Sequence, residues 1–219
     1  MLVVVTDGWD ATQGTARAFE RSAAGGWEPA LGAVPVSLGR SGLAWGLGLH
    51  GEGRPAGTDG GAVKREGDGR SPAGVFYLAS ATGYAATPPP GVRLHYTMAT
   101  PSLKCVDDPR SRQYNRIVDT SRSLRDFDSF EDMRRDDDLY RLVVVVAHNA
   151  LQRPGGGSCI FLHQRLGPGS VTAGCSAFDA AALDRIVGWL DPGAQPVLVQ
   201  LPRVTYEEVR RAWGLPAPP

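Results

Sequence analysis

The stretch Leu142-Val-Val-Val-Val-Ala-His148-Asn149-Ala-Leu-Gln-Arg-Pro154-Gly-Gly-Gly157-Ser-Cys159-Ile-Phe-Leu-His163 decides the fold. From Leu142 to Ala147 the residues are apolar and mostly β-branched without polar alternation, which reads as a strand buried on both faces. That strand delivers His148 and Asn149 to its end. Pro154 to Gly157 turns the chain. Cys159 to His163 then reads as a second core strand, whose alternation puts Cys159, Phe161 and His163 on one face.

Working towards the N-terminus, short β-branched or aromatic runs alternate with Gly-rich turns: Leu2–Thr6, Ala16–Arg21, Val34–Leu38, Gly74–Ala79 and Val92–Thr97. These predict antiparallel strands. Gly51 to Ser71 is too polar and Gly-rich for regular structure and reads as a loop over or beside a site. Ser129-Phe-Glu-Asp132 has the spacing of a capped helix start, with Glu131 in reach of Arg135 and Asp136 to Asp138 as the helix's solvated end. Towards the C-terminus, Leu183, Ile186, Val187 and Leu190 recur at helical spacing behind Asp179, and Asp191-Pro192-Gly193 stops that helix. Pro196 to Leu201 reads as a strand, and Thr205 to Glu208 as a capping box opening a last helix that docks Tyr206, Val209 and Trp213.

The chain has 219 residues, with 23 Lys+Arg against 23 Asp+Glu. A zero formal charge lacks the electrostatic footprint of a nucleic-acid binder, so no nucleic-acid partner is expected. No apolar run approaches the roughly 20 residues of a spanning helix, so an integral membrane protein is not expected either. A chain of this size withdraws roughly 70% of its unfolded surface from water, which suits one domain over residues 1–219. With 28 Gly and 17 Pro, the expected class is mainly β. Residues 1–50 form its β-rich N-terminal part and residues 202–219 a C-terminal helix and tail. Leu2 to Thr6 follows Met1 directly, so no secretory leader is read at this end.

The chemistry is expected in Phe161-Leu-His-Gln-Arg-Leu-Gly-Pro-Gly-Ser-Val-Thr-Ala-Gly-Cys175. A histidine ends a buried strand, residues 164–174 return the chain, and a cysteine follows a glycine just before a capped helix. A free thiol with a pKa of about 8.5 is only a few per cent thiolate near neutrality, and an adjacent imidazole that takes its proton makes it a nucleophile. Gly174 allows backbone to approach a substrate, and amides near Cys175 suit a developing oxyanion. The residues equally allow a buried cysteine and a satisfied core histidine.

This stretch resembles the L,D-transpeptidase catalytic domain, the YkuD-like family, through Leu162-His163 and Thr172-Ala-Gly-Cys175. Glu66-Gly-Asp-Gly-Arg-Ser-Pro-Ala-Gly-Val-Phe76, Asp107-Asp108-Pro109 and Tyr114-Asn115 extend the similarity over about residues 64–201. The resemblance implies a YkuD-like β-sandwich of mixed sheets with a few short peripheral helices. It implies Cys175 as nucleophile, His163 as base and then acid, and peptidoglycan stem peptides as donor and acceptor. It also implies a periplasmic or cell-envelope location and no metal or organic cofactor. Several features depart from the family. The His163-to-Cys175 loop is short, Ala173 replaces a common second histidine, and Ser176-Ala177 lacks the usual arginine. His163 must then be oriented by a backbone carbonyl or another residue. Thr172, His148 and Asn149 are candidate substrate contacts, unless the last two serve only their loop. With Cys175 reserved for catalysis, Cys105 and Cys159 remain as a disulfide, suited to the implied location, or as two buried thiols.

A zinc site built on Cys159, His163 and either Cys175 or His148 is the sharpest rival. Residues four apart on a strand lie about 13 Å from each other, too far for two ligands of one tetrahedral ion. The same Cys/His pair also suits hydrolysis by an L,D-carboxypeptidase or endopeptidase, and the fold suits a catalytically silent wall-binding domain. His50 and His95 are expected to have no chemical role. Trp45, Tyr84 and Tyr96 are read either as groove-lining residues or as core.

Overall fold

The computed structural model describes residues 1–58 and 60–219. In chain order the strands are β1 (Leu2–Thr6), β2 (Gln13–Arg21), β3 (Trp27–Pro29), β4 (Val34–Ser37), β5 (Leu43–Trp45), β6 (Leu47–Gly48), β7 (Gly51–Glu52) and β8 (Ser71–Gly83). They continue as β9 (Tyr96–Met98), β10 (Leu103–Val106), β11 (Ile117–Asp119), β12 (Phe130–Asp132), β13 (Leu142–Val146), β14 (Phe161–Gln164) and β15 (Ser176–Phe178). Helix α1 (Ala180–Trp189), β16 (Val197–Pro202) and α2 (Arg203–Arg210) complete the order. The protein is mainly β with mixed sheets. Among the described residues no helix is long and apolar enough to cross a membrane.

The main sheet runs β1-β16-β8-β13-β14-β15-β4-β2, and β2 pairs again with β1. Eight strands therefore form a closed ring, where the resemblance implied two layers of a sandwich. Closure satisfies the backbone groups that open sheet edges would leave unpaired. The long β8 makes this geometry possible: Gly74 to Tyr77 pairs with β16, and Leu78 to Gly83 pairs with β13, with a register shift at Val144/Val146. Within the ring β1/β16 and β14/β15 are parallel and the other pairs antiparallel. A second, three-stranded sheet, β11-β10-β12, lies outside it.

Strand alternation divides the apolar residues into two cores. Val144, Val146 and Leu162 join the ring's own core, together with Leu183, Ile186 and Val187 of α1. Val143 and Phe161, on the opposite face, pack with Cys105, Met133, Tyr140 and Cys175 in a smaller core towards the second sheet. Cys105 and Cys159 are joined by a disulfide, which staples β10 to the segment entering β14.

Several sequence expectations need correction. Phe130 to Asp132 is a strand, not the start of a helix; it pairs with Lys104 to Val106. Arg135 pairs with Asp137 and not with Glu131. Of Val92 to Thr97 only Tyr96 and Thr97 lie in a strand. Asp179 precedes α1 but makes no side-chain cap; both its oxygens accept from Arg165 at 2.7 Å. Helix α2 begins at Arg203, so Thr205 lies inside it. The predicted Gly51–Ser71 loop is irregular apart from β7 and the first residue of β8, its residue 59 lying outside the described residues.

Candidate active site

Parallel pairing of Leu162 with Ser176 and His163 with Ala177 brings the ends of the His163-to-Cys175 loop onto adjacent strands. Thr172 shapes the return: its hydroxyl donates to the Cys175 carbonyl at 2.7 Å and accepts from the Gly174 amide at 3.1 Å. Ser71 Oγ donates to the same carbonyl at 2.8 Å. Gly174 is required by close approach, since a Cβ there would stand 3.0 Å from the Arg70 carbonyl oxygen. These contacts hold the backbone at Cys175 and engage the hydroxyl expected to meet substrate.

Cys175 is the free cysteine, and its side chain is set by two backbone groups. The Phe161 amide donates to Sγ at 3.3 Å, and the thiol donates to the Cys159 carbonyl at 3.5 Å. The residue is only 6% exposed. Burial raises the thiol's pKa well above its ordinary value, and the nearby Glu131 charge adds to this. At rest Cys175 is a covered, protonated thiol.

His163 is also buried, and burial lowers its pKa to about 4. Its ring is therefore neutral near pH 7. Nδ1–H donates to the carbonyl of Gln164 at 2.7 Å, which leaves Nε2 as the basic nitrogen. A backbone carbonyl thus orients the ring, filling the role for which Ala173 has no side chain. Tyr140 stands edge-on to His163, with ring centroids 5.2 Å apart.

His148 and Asn149 do not belong to this pair. His148 Nδ1 accepts from the Leu47 amide at 3.2 Å and Nε2–H donates to Gly156 O at 2.9 Å; burial lowers its pKa to about 4. Asn149 donates to the Arg153 and Gly157 carbonyls and accepts from the Arg153 amide. Both side chains fasten the loop after β13 and do not present a substrate-binding edge at the thiol. Asn115 completes the fastening: Nδ2 donates to the carbonyls of His148 and Asn149, and Oδ1 accepts from the Cys159 amide at 2.9 Å. Glu66 accepts from Tyr114 and from Ser158 Oγ, and Tyr114 Oη accepts from the Gly157 amide at 3.1 Å. Glu66, Tyr114 and Asn115 therefore converge on the segment that carries Cys159, whose φ is +54°. Backbone in that region is uncommon for a residue with a Cβ, and this network and the disulfide hold it.

Zinc loses its proposed Cys159 thiolate to the disulfide, and no group of three metal-ligating side chains occurs among the described residues. His50 accepts from the Val75 amide at 3.0 Å and bonds the Gly46 carbonyl, while Trp45 is fully buried. Tyr84 and Tyr96 donate to the Asp137 and Ala85 carbonyls. A cavity of about 170 Å³, lined in part by Ser80, Asn115, Ile117, Val145, Cys159 and Phe161, lies next to the disulfide.

Two residues of the site escape sequence reasoning. Tyr140 Oη donates to Glu131 Oε2 at 2.7 Å, and Tyr140 packs against His163 and in the same buried cluster as Cys175. The capping-box pattern at Ser129 conceals Glu131, and Tyr140 has no local pattern marking it. Compared with protein-family models and with curated proteins, the chain matches none.

Proposed function

We propose that this chain is a divergent YkuD-like L,D-transpeptidase domain that crosslinks peptidoglycan stem peptides, by a 3,3 or 1,3 linkage, through a Cys175 thioester. The observation that carries the reading is a neutral, carbonyl-oriented histidine on β14 and a free cysteine immediately before β15, its parallel neighbour. The YkuD-like β-sandwich that the resemblance implies is a finer expectation than the closed mixed ring described above. The disulfide suits an oxidising compartment, in keeping with the periplasm or cell envelope.

In this reading Nε2 of His163 takes the thiol proton as sulfur attacks the carbonyl of a bond following an L-centre in the donor stem. The tetrahedral adduct collapses, the C–N bond breaks, and His163 returns the proton to the departing amine. An acceptor amine then attacks the thioester, its proton passing to His163, and the thiolate leaves and is reprotonated. Water in place of the amine gives an L,D-carboxypeptidase or endopeptidase with the same residues. Neither Cys175 nor His163 lines the cavity beside the disulfide, and the covering of Cys175 must open before a carbonyl reaches Sγ.

The buried thiol favours one other reading, a wall-binding domain that retains the motif without turnover. Incubation with purified muropeptides and a carbapenem separates the two. Transpeptidation predicts crosslinked or trimmed products and a covalent carbapenem adduct on Cys175. Cys175→Ala should abolish both, and His163→Ala should slow turnover by orders of magnitude. Near-wild-type turnover by either variant would contradict the assignment, and a folded wild-type protein giving neither product nor adduct would leave the silent domain.

A further inference from the structure

The second sheet reaches the candidate nucleophile by two routes. Glu131 on β12 lies directly opposite Cys105 on β10, and Cys105 is bonded to Cys159, whose carbonyl accepts the Cys175 thiol. Glu131 also accepts from Tyr140 Oη at 2.7 Å. Tyr140 is 6% exposed and packs edge-on against His163 and against Phe161, whose amide holds the sulfur. An acid and a phenol thus meet beside a thiol that neither activates in the mechanism above.

We propose that Glu131 and Tyr140 set the reactivity of Cys175 in opposite senses: the Glu131 carboxylate restrains the thiol in its protonated form, and the Tyr140 hydroxyl favours the thiolate. A carboxylate near sulfur makes a second negative charge costly, whereas a hydroxyl that turns towards sulfur stabilises it. At rest Glu131 acts on the thiol in this sense, raising its pKa, while Tyr140 shares the thiol's buried cluster with its proton held by Glu131, so that it must turn to reach the sulfur. The Tyr140–Glu131 hydrogen bond couples them, because it occupies the phenol's proton with the carboxylate. Glu131 is a positioning residue, placed by the stapled sheet. Asp107, Arg135 and Glu66 are the other charged groups acting on it; Arg135 is engaged by Asp137, and Lys104 on β10 by Asp132. Lys64 and His163 are the remaining titratable groups around the pair, Lys64 acting on the thiol and His163 packing against Tyr140. The inference rests on the acyl-transfer reading in that it concerns the same nucleophile.

The test uses the full chain with its disulfide intact. Carbamidomethylation of Cys175 by iodoacetamide is followed by peptide mass spectrometry from about pH 6 to about pH 10 in wild type, Glu131→Gln and Tyr140→Phe. Glu131→Gln is expected to move the rate profile to lower pH by about one unit, about tenfold faster on the rising limb. Tyr140→Phe is expected to move it the other way. A merely structural role would uncover the sulfur in both variants and speed both. Shifts of the same sign, or profiles that do not differ, including no reaction in any of the three, overturn the proposal. Circular dichroism reads folding, and if Glu131→Gln does not fold, the sign of the Tyr140→Phe shift decides alone. Opposite shifts in a protein that turns over no muropeptide would sink the proposed function and keep this inference. Unshifted profiles in an active enzyme would do the reverse.

Discussion

Removal of the Cys105–Cys159 disulfide by a double substitution to alanine should cost the protein about 4 kcal/mol. The bridge spans a sequence separation of 54 residues. The chain-entropy relation for a loop of that size gives about 14 cal/mol/K of lost unfolded-state entropy, or about 4 kcal/mol at 25 °C. Against a typical total of about 5–15 kcal/mol this is a large share, equivalent to a fall in melting temperature of about 8–16 °C for a domain of this size. The damage should be uneven. The sheet β10–β12 rests on a small core built around Met133, Tyr140, Phe161 and Cys175, and the bridge is its covalent tie to the ring. Urea unfolding of the oxidised wild type and the double variant measures the global loss, and amide hydrogen exchange at Lys104 and Val106 reads the local one. A loss below about 1 kcal/mol, with β10 protected as in wild type, would refute the reasoning, because the ring and small core would then hold the second sheet without the tie.

Two further perturbations follow from the same packing. His148 and His163 each have a folded pKa lowered to about 4, so between that value and about 6.5 the unfolded chain binds more protons and stability rises with pH. Each contribution is complete above about pH 6.5, falls as pH drops, and amounts to about 3 kcal/mol at most; urea unfolding that is equally stable at about pH 6.5 and about pH 4.5 would contradict it. Gly42 and Gly25 both lie at positive φ, but a Cβ at Gly42 would stand 2.1 Å from the Trp9 carbonyl oxygen, whereas one at Gly25 meets nothing within 4 Å. Gly42→Ala should therefore cost more than about 2 kcal/mol and Gly25→Ala about 1 kcal/mol, and equal melting temperatures for the two would show that backbone strain alone sets the loss.

What the sequence makes legible follows the range of the interactions involved. Leu142 to Val146 is readable as a strand because its burial on both faces is written in consecutive β-branched residues, and α1 because Leu183, Ile186 and Val187 repeat at helical spacing. Phe130 to Asp132 is not readable, since pairing with Lys104 to Val106, far away in sequence, overrides a local pattern that suits a helix cap. Closure of the ring is hidden for the same reason, as it depends on Leu2 to Val5 meeting Thr15 to Ala18 as well as β16.

At the candidate site, residue type and order along the chain single out Cys175 and His163 as candidates, but the state of the sulfur comes from elsewhere. Its burial is made by Phe161, Tyr140 and the Cys159 segment, and the charge beside it is made by a glutamate that the second sheet carries in. His148 and Asn149 mislead because a polar pair at a strand end has two uses, and here the Leu47 amide and the loop's own carbonyls and amides consume both side chains. A motif can therefore point to a candidate cysteine, whereas the proton it holds at rest is decided by groups distant in sequence. In the acyl-transfer reading proposed above, activation of Cys175 works against burial, and a substrate has to separate the thiol from the Cys159 carbonyl before His163 takes its proton.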